Sequence, residues 1–380
     1  MPSISLCLIA KNEEHSIGRC LKSAKPFVDQ IVVVDTGSTD FTVEIAEEMG
    51  AEVYHHLWQD DFALARNKSL EKASGDWILF LDCDEELEAK TAPLLREVVK
   101  SENYDGYWVN MVNMFNNKPS TLFQGFRLFR NSPLHRFECP IHEQVLPSVI
   151  RNSSPKKIGK SNITIYHYGY ENDETTQRNK IERNLRILQK AMQDYGNTGF
   201  IPFYIAVEQQ KLGNFQKALE FYQQSLQRTD LKESYAPAMV RSMVNCYLVL
   251  GQYQDGLVFA DKYVKVYPNY TDLVYLKGIL YYNLGNTNEC LTCMNQCIAM
   301  GAPPIQLFSV QGIADEKPRE IIFELLAAKL QEGLELVNQS KTSQAFTVIN
   351  SVFTQLKKTP FEDIYNKMIQ TMINKFTGAQ

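Results

Sequence analysis

The stretch DWILFLDCDEEL, residues 76–87, decides how this chain is read. Trp77 to Leu81 is wholly apolar, and Asp82, Asp84, Glu85 and Glu86 follow at once. An unbroken apolar run of this length is a strand covered on both faces, as in a parallel sheet with helices on each side. Carboxylates so close repel one another, so something positive is expected beside them. In an open parallel sheet the ligand crevice lies at the carboxyl ends of the strands, where this acid stands.

The neighbouring segments agree. ISLCLIA (4–10) and IVVVD (31–35) are strands of the same kind. Helices are expected over about 16–24 and 40–49, the second closed by Gly50. AEVYHH follows, then a helix near 61–74. This βαβ alternation predicts an α/β domain on a parallel sheet. Beyond residue 100, YDGYWVNMVNMF and STLFQGFRLFRN alternate more loosely and predict antiparallel strands added to it.

The chain has 380 residues, 44% hydrophobic and 22% charged, with net charge −5. That length predicts two domains. The charge gives no basic face for nucleic acid, and no apolar run reaches the ~20 residues of a membrane span. MPSISLCLIAKNEE has no basic segment before its short apolar run, so no secretory signal is expected. Eight cysteines spread over this length do not form a disulfide framework, and a cytoplasmic protein with reduced thiols is expected.

After Asn172 the pattern is helical only. DETTQRNKIERNLRILQKAMQDYG puts Ile181, Leu185, Leu188 and Met192 on one stripe. KLGNFQKALEFYQQSL, VLGQYQDGLVFADKYV and NLGNTNECLTCMNQCI then align on Gly213, Gly251 and Gly285, 38 and 34 residues apart. With aromatics two positions on (Phe215, Tyr253) and small residues five on (Ala218, Gly256, Cys290), these resemble tetratricopeptide repeats. Cys290, Cys293 and Cys297 occupy that register and read as core, not as metal ligands. The expected division is a sheet domain over 1–171, a linking helix over 172–196, repeats over 197–302, and C-terminal helices over 303–380 that include a degenerate repeat at Gly333 and Ala345.

Asp35 and Asp82 should face one cleft at the strand ends, with Lys11, Asn12 and Glu13 beside them. Hard divalent cations take oxygen ligands, and Mg²⁺ commonly combines one or two carboxylates with substrate phosphates. SLCLIAKNEE, VVVDTGSTD, DFALARN, DWILFLDCDEEL, PIHEQV and YHYGY, in that order, resemble the family 2 glycosyltransferases of GT-A fold. With the repeats, the chain is similar to the peptide S-glycosyltransferases of glycosylated bacteriocins. The resemblance implies inverting transfer from a UDP-sugar with Mn²⁺ or Mg²⁺.

It also implies roles. Asp35 would bind the base, Arg66 the nucleotide or pyrophosphate, and Asn12 and Glu13 would line the nucleotide-sugar site. Asp84 would hold the metal, with His167 and Asp82 as further ligands, and Asp82 would also touch ribose or sugar. Glu143 would be the base that takes the acceptor's proton, with His142 as the alternative. A satisfied core histidine is the competing reading of His167. Cys139 and Pro140 stand where relatives often carry Gly, which leaves the acceptor class open.

The leading acceptor is a peptide or protein held by the repeats. A glycan or lipid-linked acceptor, and a non-catalytic repeat scaffold, are the alternatives. REIIFELLAAKL (319–330) offers an apolar face near the solenoid's end, so a homodimer through the C-terminal helices is a further expectation.

Overall fold

The computed structural model describes residues 1–116, 118–169, 174–195, 197–304 and 306–356. The sheet begins with β1 (Ile4–Ala10), β2 (Gln30–Asp35), β3 (Glu52–His55) and β4 (Trp77–Phe80), parallel in the order β3-β2-β1-β4. Successive side chains on a strand face opposite ways. Leu6, Leu8, Val33, Trp77 and Leu79 therefore enter one core, and Cys7, Val32, Ile78 and Phe80 enter the other. That double burial is why the runs are apolar without alternation. β3 is the edge strand and only partly covered.

Helices α1 (Ile17–Ala24), α2 (Thr42–Glu48) and α3 (Phe62–Lys72) fall within two residues of the ends expected from the sequence. Asp82 and Asp84 lie in the turn after β4. Glu85–Leu87 forms a short strand, β5. A small helix, α4 (Leu94–Val98), leads to the hairpin of β6 (Gly106–Phe115) and β7 (Lys118–Arg130), and α5 (Leu146–Asn152) precedes β8 (Ile158–His167). β7 runs antiparallel to β4 and β6, β8 lies parallel to β6, and β5 closes the order antiparallel to β8. That last pairing sets Glu85 opposite His167 and draws two distant motifs together.

The rest is helical: α6 (Glu174–Tyr195), α7 (Phe200–Lys211), α8 (Phe215–Leu226), α9 (Ala236–Val249), α10 (Tyr253–Val266), α11 (Thr271–Asn283) and α12 (Thr287–Met300). A two-residue strand, β9 (Ser309–Val310), pairs with β7, and α13 (Glu316–Asn338) and α14 (Thr342–Leu356) follow. Gly213, Gly251 and Gly285 each stand between two helices with φ of 70–78°, the left-handed turn that glycine takes without strain. The chain divides into two compact units, one of Met1–Gly251 with Pro304–Gln311, the other of Gln252–Pro303 with the helices after Gly312. In the second unit Cys290 packs with Leu291 and Met294, and Cys293 and Cys297 pack against Val274. The expected domain junction at 171–172 and the last part of the expected C-terminal region, 357–380, lie outside the described residues.

Candidate active site

Asp35 ends β2 in register with Ala10 of β1, so the loops after both strands leave the sheet side by side. They are laced together. Asn12, at φ 55°, donates its N–H to Ser38 Oγ at 2.9 Å, and its Oδ1 accepts from the Thr39 N–H at 2.8 Å. Asparagine tolerates that left-handed conformation better than most residues. Glu13 donates its N–H to Thr42 Oγ1 at 2.7 Å, and its carboxylate accepts from Ser16 Oγ at 2.5 Å. Burial raises the Glu13 pKa, and the charges of Asp84 and Asp82 add to the rise. Asp35 accepts from the N–H groups of Gly37 and Ser38, both at 3.1 Å, and lies 3.3 Å from His55 Nδ1. Burial works against its charge, yet the donors of Ser38, Gly37 and His55 hold the carboxyl below its ordinary pKa.

Arginine answers the acids. Arg66, buried on α3, donates Nη2 to Asp82 Oδ1 and Nε to Glu143 Oε1, the latter at 2.5 Å. Arg127 of β7 donates Nη2 to Asp82 Oδ2 at 3.2 Å and to Glu85 Oε1 at 2.5 Å. The Phe80 ring lies 5.1 and 4.4 Å from the two guanidinium carbons. Burial disfavours the Asp82 carboxylate, but Arg66 and Arg127 hold its pKa well below the usual range. Glu85 is fully buried, and burial with the charge of Asp82 pushes it up to about 7 against the pull of Arg127. Each Asp82 oxygen faces a guanidinium, and Arg66 is 7% exposed with its donors turned to Asp82 and Glu143.

Asp84 Oδ2 lies 3.5 Å from His167 Nε2. Burial disfavours the imidazolium, but Asp84, with Glu85 and Asp82, raises the His167 pKa, so this spot draws positive charge. Behind it, His167 Nδ1 is 2.9 Å from Asn113 Oδ1. Gly169 lies against the pair: a Cβ there would come within 2.6 Å of His167 Nε2 and 2.7 Å of Asp84 Oδ2. One carboxylate and one imidazole, with backbone kept clear of them, suit a divalent cation that takes its other ligands from phosphate oxygens and water. Among the described residues no three His, Cys, Asp or Glu side chains are grouped to hold a metal by themselves.

The loop after Pro140 carries the other two candidates. Glu143 is 10% exposed and faces Arg66. His142, at φ 54°, turns the other way, its ring stacked on Tyr204 of α7 with centroids 3.5 Å apart and planes 10° from parallel. Its buried Nε2 has no hydrogen-bond partner among the described residues. Burial, helped by the charge of Lys211, lowers its pKa to about 3, so the ring is neutral.

The protein-family description "Glycosyl transferase family 2" matches residues 5–148, which hold every one of these groups except His167, Gly169 and the helical contacts. Residues 5–148 are thus similar to glycosyltransferase family 2. A TPR repeat-containing protein of Synechococcus elongatus is 36% identical over 206 residues, 53% of this chain and 51% of that protein. The chain therefore spans about half the length of that relative. The SPbeta prophage-derived glycosyltransferase SunS of Bacillus subtilis is 25% identical over 299 residues, 77% of this chain and 70% of that one. Glucosyl-3-phosphoglycerate synthase of Mycobacterium tuberculosis, solved with Mn²⁺ and UDP-glucose, has a TM-score of 0.38 and 20% identity over 50% of this chain and 78% of that one.

Sequence reasoning missed four residues that shape the candidate site: Glu85, Asn113, Arg127 and Tyr204. Arg127 had a legible signal, as a charge set between Phe126 and Leu128 in an aromatic strand. So had Asn113, which falls in the buried phase of β6 with Tyr107, Val109 and Met111. Glu85 was seen only as one of the acids, and Tyr204 gave no sign in its own helix of where it packs.

Proposed function

We propose that the chain is a metal-dependent, inverting glycosyltransferase that moves a sugar from a UDP-sugar to a side chain of a peptide or protein. The observation that carries this reading is the Asp84–His167 pair, set 3.5 Å apart where the chain leaves β4 and β8. Asp35, at the carboxyl end of β2, accepts hydrogen bonds on the donor side and orients the base. Asp84 and His167 would hold a divalent cation, Mn²⁺ or Mg²⁺, which would supply positive charge for the departing diphosphate. Asp82, fixed by two guanidiniums, presents the ribose and sugar with a rigid wall. Glu143 takes the acceptor's proton as the nucleophile attacks. Arg66 holds Glu143 and Asp82 in one frame, so base and donor floor keep a set separation.

The helical repeats favour a protein or peptide acceptor. The match to SunS runs over 299 residues, more than the sheet region contains, and so extends into the repeats. Repeat arrays bind extended segments. The test is UDP release from UDP-sugars with Mn²⁺ and with EDTA, together with mass spectrometry of small proteins co-expressed with this chain. Hydrolysis and transfer that persist in EDTA would refute metal dependence, and sugar found only on glycans would refute the acceptor.

A further inference from the structure

We propose that Asn113 is a positioning residue of the cation site: its amide oxygen keeps the His167 proton on Nδ1 and leaves Nε2 as the ligand atom beside Asp84. The inference rests on the reading of Asp84 and His167 as cation ligands.

The sheet register builds the arrangement. Asn113 on β6 is paired with Thr121 on β7 and with His167 on β8, and His167 is paired with Glu85 on β5. Side chains opposite one another on adjacent strands share a face, so these four form a polar row across the sheet. Asn113 is 4% exposed in the same phase as the buried Tyr107, Val109 and Met111. A buried amide in an apolar phase must be paired on both of its ends. Asn113 Nδ2 donates to Thr121 Oγ1 at 2.6 Å, which turns Oδ1 toward His167 Nδ1 at 2.9 Å. A carbonyl oxygen only accepts, so the proton of the neutral ring belongs on Nδ1. Metal-bound histidines use such an acceptor to fix tautomer and ring orientation, and losing it typically weakens metal binding by about 10–100-fold. Thr121 is itself paired with Val310 of β9, which holds the outer end of the row.

The experiment measures Mn²⁺ affinity in the presence of UDP, by electron paramagnetic resonance, for the full chain and for Asn113→Leu, Asn113→Asp and Thr121→Val. Nitrogen NMR of the His167 ring with Mg²⁺ and UDP reads the tautomer directly. Asn113→Leu should weaken Mn²⁺ binding by about 10–100-fold, while Asn113→Asp, which keeps an acceptor in place, should restore it to near wild type. Thr121→Val frees the amide to turn and should give a smaller loss. The wild-type ring should carry its proton on Nδ1. Equal Mn²⁺ affinity in the wild type and Asn113→Leu, or a proton on Nε2 in the wild type, would overturn the role of Asn113 alone. A wild-type protein that binds UDP but not Mn²⁺ would overturn the cation reading and this inference with it. Should Asn113→Leu fail to fold, Thr121→Val decides: wild-type affinity overturns the proposal and a loss supports it.

Discussion

Arg66 donates its Nε proton to Glu143 at 2.5 Å, tying helix α3 to the loop that carries the proposed base. The same guanidinium bonds Asp82, so one buried cation serves an acid on each side of the crevice. A lysine could not do this, because its ammonium lacks the planar fork that spans two carboxylates.

Arg66→Met therefore leaves two carboxylates facing each other without their shared cation. Removing one partner of a buried pair costs about 3–5 kcal/mol. Chemical denaturation should show a loss of that order at pH 7. A change below about 1 kcal/mol, the scale of an exposed ion pair, would mean that water already screens this frame.

Gly169→Ala tests the cation pair without removing a charge. Its backbone is not in the left-handed region, so alanine brings no dihedral strain; the added Cβ meets His167 Nε2 and Asp84 Oδ2 instead. Calorimetry should show Mn²⁺ binding weakened and UDP binding without metal little changed. Unaltered Mn²⁺ affinity would show that the cation does not sit between those two atoms.

Much of the sheet was legible because its local signals and its burial agree. The cores of β1, β2 and β4 are runs of apolar residues since both faces are covered, and Asp35 and Asp82 follow the runs of β2 and β4. β5 was illegible: Glu85, Glu86 and Leu87 have no strand pattern of their own and are extended because β8 pairs with them. The positive charge demanded by the acids was foreseen, but its source was assigned to metal alone. Arg66 and Arg127 supply part of it from strand and helix positions distant in sequence. His142 was read as the alternative base beside Glu143, while its ring stacks on Tyr204, whose contact no local pattern could announce.

Glu85 makes stability depend on pH. Burial raises its pKa from the ordinary glutamate value to about 7 in the folded chain. The contribution is fully present below the unfolded value and is lost as pH rises through the folded one. Wild-type Tm should therefore fall between about pH 5 and pH 8 through this group, and Glu85→Gln should flatten that slope. A slope unchanged by the substitution would assign the titration to another group.

His142 works in the opposite sense. Burial lowers its pKa to about 3, so its stabilising contribution is present above the unfolded value near 6.5 and is lost as pH falls toward 3. His142→Phe keeps an aromatic ring on Tyr204 and removes the proton. Melting at pH 5 should rise relative to wild type, with little difference at pH 8. A variant as acid-sensitive as wild type would show that the ring is not buried as described.

The same two loop residues separate the choices for the base. In an inverting displacement the acceptor loses its proton as it attacks, and a hydroxyl at neutral pH needs a positioned base worth roughly 10²–10⁴-fold. His142 is stacked away from Arg66 and holds a proton only in acid, so His142→Phe should leave transfer within a few-fold of wild type. Glu143→Gln keeps the shape of the side chain and removes its basicity. A loss toward the upper end of that range points to Ser or Thr as acceptor. A thiol, with a pKa of about 8.5, is already partly ionised near neutrality and needs less help. A small loss, recovered further as pH rises, points to Cys. If Glu143→Gln weakens UDP-sugar binding as much as it slows transfer, Glu143 belongs to the donor site through Arg66 and is not the base.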